Sequence, residues 1–458
     1  MIKLIKNEMY KILHKKSTYI VLIITVLFIT LVSYLTAHDE INYVSSEVYY
    51  DTISDDTTQN KTNIEMNEIS KGYDDAKWQY YVLEDVYSII SNYYSAKDGG
   101  YLDEKIENEY KSVKEALNND DWQYFVNRSI SSLNEDLKTY EESLKYVNNE
   151  ADKKEIENNM YSTKVAIEMG EYRLKENIKF GNDYLNNAID VVTYSASAVR
   201  NYETMTNKKN KSELEDTVKE YYKSRYILEN KEDINNVSDL RSIMTNFYSD
   251  YMFLILVFGV MIAGAIVSEE YNKGTIKSLL ITPYKRETIL LSKFITTVIL
   301  TILFIVVAYL MQTAIGGLFL GFDSLGTHVV EYNLVTKSLV KMSLFKYILL
   351  YSIVTLPQIL LLVTLAFAAS TIIGNTALSI VITFAGVIGS TIVNLFAYKI
   401  KILKYFVTTN WEFNYYLFGG TNPYGISLTH AIIVCTIYFL IMIITSFVVF
   451  NRKNIKNV

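Results

Sequence analysis

Residues 251–268 read YMFLILVFGVMIAGAIVS, an apolar run without a charged side chain. The hydrocarbon core of a bilayer is about 30 Å thick, and about 20 helical residues cross it. The run is therefore a candidate membrane span. Five further apolar runs predict spans at residues 18–37, 294–320, 343–373, 376–397 and 428–450. Together they predict an all-α, polytopic membrane protein with six transmembrane helices.

Charge is strongly segregated along the 458 residues, which carry 44 basic and 50 acidic side chains. Residues 39–250 have a net charge of −18, whereas the rest of the chain has +12. This pattern excludes a single soluble domain and a wholly disordered chain. The lone Cys435 excludes a disulfide scaffold. We therefore expect three parts: residues 1–38 with the first span, an insert at 39–250, and spans two to six in 251–458.

The insert is expected to be a helical domain. It contains no proline and only five glycines, and Glu, Lys, Asn and Leu occur throughout. Such a composition favours long helices. Apolar residues recur in steps of three and four from Ile130 to Val147, and again from Ile156 to Ile178. These two seams predict a pair of antiparallel helices, partly coiled coil, joined near residues 148–154.

The orientation follows from the lysines and arginines in the short segments beside the spans. With the N-terminus inside, thirteen such residues lie on the inner side and six on the outer side. Because positive flanks stay in the cytoplasm, both termini are expected there. The first span is longer than the apolar region of a cleaved signal peptide, so we expect a retained anchor. The sequence thus predicts a multi-pass plasma-membrane protein with residues 39–250 outside the cell.

No pattern in the sequence predicts catalysis or a metal site. The four histidines lack the spacing of metal ligands, and the Gly-x4-Gly-Lys-Ser/Thr phosphate loop is absent. We therefore expect no enzyme activity, metal or cofactor on this chain, and no nucleic-acid partner. If the protein uses ATP, a separate chain must bind it.

The segment after the second span carries the most specific pattern. Gly274 can end the helix of that span, and Thr275 can cap a short helix. Pro283 suits the first position of the helix that enters the third span. The short helix would present one apolar face, formed by Ile276, Leu279 and Leu280. By itself, such a helix could also be a simple anchor at the membrane surface.

The spacing Glu270-x3-Gly274-Thr275-x3-Leu279-Leu280-x2-Pro283-x2-Arg286-x6-Lys293 resembles the cytoplasmic loop of type-2 ABC exporter permeases. The basic, amphipathic residues 2–16 and the end of the last span, residues 447–455, are also similar to that family. The resemblance covers the six spans and their inner loops, about half of the chain. It implies the membrane subunit of an exporter for a hydrophobic or amphipathic compound such as a drug, an antimicrobial peptide or a lipid-like molecule.

The family also implies roles and partners. Residues 2–16 would form an elbow helix along the inner leaflet. Within the coupling loop, residues 269–293, a coupling helix at 274–282 would dock on an ABC ATP-binding subunit, which would hold ATP and Mg²⁺. Leu279 and Leu280 would form the buried knob, Arg286 and Lys293 would face the partner or lipid phosphates, and Glu270 would fix the end of the second span. A second permease subunit, identical or homologous, would complete the transporter within the membrane lipid.

Three uncharged polar residues inside spans are candidates for a substrate path: Gln312, Gln358 and Asn394. Two other functions remain open. The chain could be a surface scaffold that resembles phage-infection or type-seven secretion membrane proteins, in which case the loop would be dispensable. It could also be a sensor for an antimicrobial peptide, which would signal without export.

Overall fold

The computed structural model describes residues 1–38, 50, 57–205, 208–277 and 283–453. The chain divides into two compact units. The membrane unit comprises Met1–Asp39 and Asn236–Val458, and the insert unit comprises Glu40–Asn235. Both are mostly helical.

The membrane unit begins with two helices, α1 (Ile2–Leu13) and α2 (Lys16–His38). Helix α1 has one buried face, since Glu8 and Ile12 are buried whereas Ile2 and Tyr10 are exposed. Helix α2 is the first candidate span. Its buried residues recur every three to four positions, which gives it one inward face.

The insert unit contains seven α-helices within the described residues. They are α3 (Thr57–Ser70), α4 (Leu83–Asp98), α5 (Glu104–Asn118), α6 (Trp122–Ser143), α7 (Glu150–Lys175), α8 (Tyr184–Thr204) and α9 (Lys208–Asn230). Several begin at a side chain that accepts a hydrogen bond from the first turn, as Asp103, Asp121, Asn149 and Asp183 do. Such caps satisfy amide groups that have no partner inside the helix.

Helices α6 and α7 lie where the two seams predict a helix pair, and they are antiparallel. Gly170 of α7 lies against Val126 and Ile130 of α6, while the other ends of the two helices meet at residues 144–149. The seam residues of α6 are only half-buried. Ile178 lies beyond the end of α7, which stops at Lys175. A coiled coil therefore stays a prediction, and the second seam is shorter than expected.

A buried carboxylate ties three helices of the insert unit together. Glu65 of α3 accepts hydrogen bonds from Tyr94 of α4 at 2.9 Å, and from Tyr110 and Lys114 of α5 at 2.7 and 2.6 Å. Burial raises the pKa of the Glu65 carboxyl, but the three donors outweigh burial and hold the pKa below its ordinary value of 4.5. The ionised form is therefore favoured by folding.

Replacing this carboxylate with an amide is expected to destabilise the insert unit. Glu65→Gln loses charge-assisted hydrogen bonds worth about 1 to 3 kcal/mol. Because folding lowers the pKa of Glu65, its stabilisation is present above pH 4.5 and is lost as the pH falls through the lower folded value. Tryptophan fluorescence during denaturant unfolding measures this, since Trp78 and Trp122 lie in the core of the unit. The exposed Glu68→Gln is the control, and an equal effect of both variants would contradict the prediction.

The membrane unit continues with seven helices and a hairpin within the described residues. The helices are α10 (Leu240–Thr245), α11 (Phe247–Ile266), α12 (Ser268–Asn272), α13 (Arg286–Leu320), α14 (Leu344–Ile373), α15 (Thr376–Ala397) and α16 (Leu428–Arg452). Helices α2, α11, α13, α14, α15 and α16 are long and apolar enough to cross a membrane, which confirms the six predicted spans. Helix α13 starts at Arg286, between Pro283, where the sequence predicts the helix to start, and residue 294, where it predicts the apolar span to start.

Helix α11 is the central helix of the membrane bundle. It packs against α13, α14 and α15, and most of its side chains are buried. Gly259 allows the close approach, because a Cβ atom there would lie 2.8 Å from Val363 and 3.2 Å from the Thr301 hydroxyl. Close helix packing through small residues is common in membranes.

A β-hairpin departs from the predicted all-α fold. Strand β1 (His328–Asn333) pairs antiparallel with β2 (Ser338–Ser343), with His328 opposite Ser343. The hairpin packs with α10 and the start of α14 in a small apolar cluster that includes Ile243, Val329 and Met342. Each strand is only six residues long, so the apolar runs of about 20 residues that mark the spans do not reveal it.

The bundle has two ends. We call the end that contains α1, α12 and the start of α13 the loop end, and the end that contains the hairpin the hairpin end. Between α15 and α16, three short 3₁₀ helices pack near the hairpin end: Lys401–Tyr405, Val407–Thr409 and Phe413–Gly419. They are linked to the hairpin by a hydrogen bond from the Leu334 amide to the Phe418 carbonyl.

Candidate functional site

A buried lysine joins three helices at the loop end. The Nζ atom of Lys293, in α13, lies 2.8 Å from a carboxylate oxygen of Glu8 in α1 and 3.4 Å from one of Glu270 in α12. It also donates a hydrogen bond of 3.1 Å to the Ile266 carbonyl at the end of α11. The Lys293 side chain is only 1% exposed. Its charge is thus stabilised by two carboxylates from distant parts of the chain.

Glu270 receives two further donors. Lys11 of α1 lies 2.5 Å from the Oε1 atom of Glu270, and the Thr275 hydroxyl donates to Oε2. Burial raises the pKa of the Glu270 carboxyl, but Lys293, Lys11 and Thr275 outweigh it and bring the pKa to about 2. Glu270 is therefore ionised throughout the physiological pH range.

We call the group formed by Glu8, Lys11, Glu270, Thr275 and Lys293 the loop cluster. It holds two negative and two positive charges, so its charges balance internally. A pair of buried charges is stable only when well matched, and removal of one partner is costly. The loop cluster can therefore act as a rigid tether, and it leaves no unpaired charge to bind an ion or a ligand.

A more exposed ion pair extends the tether. Glu269 of α12 lies 2.7 Å from Lys15, just after α1, and 3.2 Å from Lys273. Burial raises the pKa of the Glu269 carboxyl, but the two lysines outweigh it and the pKa lies below its ordinary value. The N-terminal segment is thus bonded to α12 at two successive positions.

The coupling loop itself is described only in part. Gly274 has a φ of +68°, a left-handed conformation that ends α12 without strain. Ile276 is completely buried in the core of the membrane unit. Leu279 and Leu280, the predicted knob, lie outside the described residues. The apolar face predicted for Ile276, Leu279 and Leu280 thus has one member that packs inward.

Pro283 does not occupy the position that the sequence predicts for it. It is exposed and lies in a bend, and α13 begins only at Arg286. The residue directly before the helix is Lys285, whose backbone is extended. Pro283 therefore precedes the helix by several residues instead of taking its first position.

The two basic residues predicted to face a partner or lipid phosphates are bonded within the chain instead. Lys293 is buried in the loop cluster. Arg286 donates hydrogen bonds of 3.0 and 3.2 Å to the carbonyl groups of Asn451 and Lys453 at the end of α16. A helix ends with carbonyl groups that lack partners, and an arginine satisfies two of them. The prediction for the buried Lys293 is therefore wrong, whereas Arg286 is half-buried and its contact with a partner or lipid phosphates stays a prediction.

Lys453, the residue after α16, bonds the last span to other helices at the loop end. Its Nζ atom lies 3.2 Å from the Ile372 carbonyl and 3.4 Å from that of Thr371, and it lies 4.4 Å from the centre of the Tyr271 ring. Burial lowers the pKa of the Lys453 ammonium group. These contacts connect α16 with α14 and α12. Glu8, Lys11 and Lys453 were not among the site residues predicted from the sequence. For Lys453 a signal existed, because a basic residue at the end of a helix is a known capping feature.

The three polar residues proposed for a substrate path differ in their surroundings. Gln312 is buried in α13, where it accepts a hydrogen bond from the Tyr251 hydroxyl. Its Nε2 atom has no partner among the described residues. Gln358 and Asn394 are half-buried on α14 and α15. The three side chains thus belong to three different helices, and a shared substrate path stays a prediction.

The described residues hold no group of three or more His, Cys, Asp or Glu side chains placed to bind a metal ion. At the loop end, Glu8, Glu269 and Glu270 are paired with lysines, and Glu287 accepts a hydrogen bond from the Asn451 side chain.

Comparison with known proteins places the chain in a family. Residues 204–456 match the profile described as "Protein of unknown function (DUF2705)". The chain belongs to this family. The match includes five of the six spans and the coupling loop of this DUF2705 member, and it starts after the first span.

Two relatives of this DUF2705 member come from Bacillus subtilis (strain 168). "Uncharacterized protein YhcI" is 27% identical over 212 residues, which are 46% of this chain and 67% of the relative. "Uncharacterized membrane protein YdbK" is 28% identical over 190 residues, or 39% of this chain and 72% of the relative. No solved structure matches the chain. The six apolar helices and the membrane-protein relative indicate a multi-pass membrane protein.

Proposed function

We propose that this DUF2705 member is the transmembrane permease subunit of an ABC exporter in the plasma membrane. A separate ATP-binding subunit would drive it, with both termini and the coupling loop in the cytoplasm and residues 39–250 outside. Its cargo would be a hydrophobic or amphipathic compound. The resemblance of the coupling loop to type-2 exporter permeases supports this proposal.

The loop cluster is the observation that carries the proposal. It bonds α12, at the start of the coupling loop, to α13 through the buried Lys293, and to α1 through Lys11, whose side chain is 56% exposed. Lys293 also bonds Glu8 of α1. Arg286 and Lys453 bond the same end of the bundle to α16. A force applied to the coupling loop would therefore reach α1, α11, α13 and α16 together. Such a tether is what an ATP-binding partner needs in order to move spans from outside the membrane.

The tether also has no chemical role of its own. Every charge in the loop cluster has an opposite charge beside it, and no free nucleophile or metal ligand lies there. The energy for movement would have to come from ATP hydrolysis on the partner, with Mg²⁺ bound there. The working assembly would contain a second permease subunit.

A pull-down from native membranes tests the proposal. The tagged protein is expected to recover an ATPase with a phosphate loop. The double variant Leu279→Asp plus Leu280→Asp is expected to abolish this recovery, because charged side chains cannot fill an apolar groove on the ATPase. Val335→Asp is the control, since Val335 is 76% exposed in the hairpin turn at the other end of the bundle.

The variants should be equally abundant in the membrane, which a blot of the tag verifies. Recovery of the ATPase by the double variant would show that the knob does not bind it. Absence of an ATPase from every sample would contradict the exporter proposal and favour a surface scaffold.

A further inference from the structure

An apolar groove lies between α14 and α16, close to the hairpin end. Its cavity volume is about 580 Å³, which is within the usual range for ligand pockets. Its walls include Ile353 and Leu361 of α14, and Ile432 and Phe439 of α16. Phe413, from the third 3₁₀ helix, also lines it. The lone cysteine of the chain, Cys435, forms part of the α16 wall.

The groove offers a ligand little besides hydrocarbon contacts. Most of the side chains that line it are aliphatic or aromatic. The Thr436 hydroxyl donates to the Ile432 carbonyl of its own helix, and the Tyr416 hydroxyl donates to the Ile426 carbonyl. Both side-chain hydroxyls of the walls are therefore engaged within the chain. A ligand with many polar groups would lose its water without gaining partners.

The length of the groove matches the thickness of the hydrocarbon layer in one leaflet of a bilayer. On α16 it extends from Leu428, the first residue of the helix, to Phe439. At 1.5 Å per residue, this is about 16 Å. Half of a hydrocarbon core of about 30 Å is about 15 Å. The groove thus starts at the hairpin end of the span and stops near the middle of the membrane.

The groove is also open to the surroundings of the bundle. Ile353 and Ile432 are 60% and 48% exposed, although both line the groove. Residues on the outer surface of membrane-spanning helices face lipid chains or other membrane helices. An acyl chain of the leaflet at the hairpin end can therefore enter sideways without crossing a polar barrier.

We infer that this groove binds one acyl chain of a membrane lipid. The chain lies along α16 from the level of Leu428 to that of Phe439, and its headgroup stays near the 3₁₀ helices. Shape, length and apolar walls select a single extended hydrocarbon chain. The inference needs only the six spans, and it holds whether or not the protein is an exporter.

Photo-crosslinking in vesicles tests this binding. The full chain is reconstituted in vesicles of phosphatidylglycerol and phosphatidylethanolamine that contain a trace of phosphatidylcholine with a diazirine near the end of one acyl chain. After illumination, mass spectrometry locates the adducts. We expect them to concentrate on the groove walls, including the segment of α16 around Cys435 and Phe439.

A matched pair of variants isolates the groove. Ile432→Trp fills it, whereas Ile437→Trp adds the same ring at an equally exposed position of α16, 49% exposed, that does not line it. Displacing two methylene groups from the groove weakens binding about tenfold, so adducts should fall to about a tenth in Ile432→Trp. Ile437→Trp should retain the native yield. Thr436→Trp, on the same wall, serves as a second filling variant if Ile432→Trp does not fold.

Three results would overturn the inference. One is an even spread of adducts over the outward faces of α14 and α16, which would indicate ordinary surrounding lipid. Another is an equal loss in Ile432→Trp and Ile437→Trp. The third is a groove that acquires adducts only when the protein is diluted in the vesicles. Such a result would mean that a second copy of the chain covers the groove at higher protein density.

Discussion

Lys293→Met is expected to destabilise the membrane unit by about 3 to 5 kcal/mol, because it leaves buried carboxylates without their cation. Glu8 would lose the 2.8 Å ion pair that compensates it, and Glu270 would keep only Lys11 and Thr275. The measurement is loss of helical circular dichroism during titration of the detergent-solubilised protein with sodium dodecyl sulfate. The transition should move to a clearly lower concentration of the denaturing detergent.

Two further variants show whether charge balance is the cause. In Glu8→Gln with Lys293→Met, one charge of each sign is removed, and Glu270 still faces Lys11. This double variant should recover much of the lost stability, since an uncompensated buried charge costs more than an absent pair. Lys285→Met, at an exposed position before α13, should behave as the native protein. If the double variant were less stable than Lys293→Met, the loop cluster would not be an ion-paired tether.

Gly259→Leu is expected to disrupt the centre of the bundle, with a loss of about 3 kcal/mol. Even the first atom of a side chain there would lie 2.8 Å from Val363 and 3.2 Å from Thr301. Helix α11 would have to move away from α13 and α14 together. The yield of folded protein after detergent extraction and its thermal unfolding temperature measure the effect.

Gly389→Leu is the matched control for this substitution. Gly389 also lies inside a span, α15, but a Cβ atom there would meet no other atom within 4 Å. The added side chain should therefore be tolerated, and loss of a flexible glycine should slightly favour the helix. Similar losses in both variants would mean that Gly259 is not at a close helix contact. A loss confined to Gly259→Leu would place α11 at the centre of the bundle in the membrane.

These two sites bear on the exporter proposal in different ways. Gly259 concerns how the spans pack, which any membrane bundle requires. The loop cluster concerns how the coupling loop is bonded to the bundle, which matters if a partner acts on that loop. A Lys293 variant that folds in milder detergent but no longer couples ATP hydrolysis to export would link the tether to transport. A variant with native export would separate the tether from function.

The sequence predicted the six spans because the signal is local. Twenty apolar residues in a row mark a membrane helix whatever lies beside them. The helical insert was predictable for a similar reason, since composition and three-four spacing act within one helix. The hairpin was missed because each of its strands is only six residues long. The start of the third membrane helix was predicted only approximately: the helix was expected from Pro283 and its apolar span from residue 294, and the helix begins between these positions, at Arg286.

The sequence by itself determined most of the helical segments, which of them are apolar enough to span a membrane, and the position of the polar loop at residues 269–293 between two of them. Only the tertiary structure decided what the charged side chains of that loop do. Lys293 is in the membrane bundle because Glu8, 285 positions earlier, is beside it in space. Arg286 similarly bonds Asn451, 165 positions away. Burial of a charge depends on a partner brought close by folding, and no local pattern encodes the position of that partner.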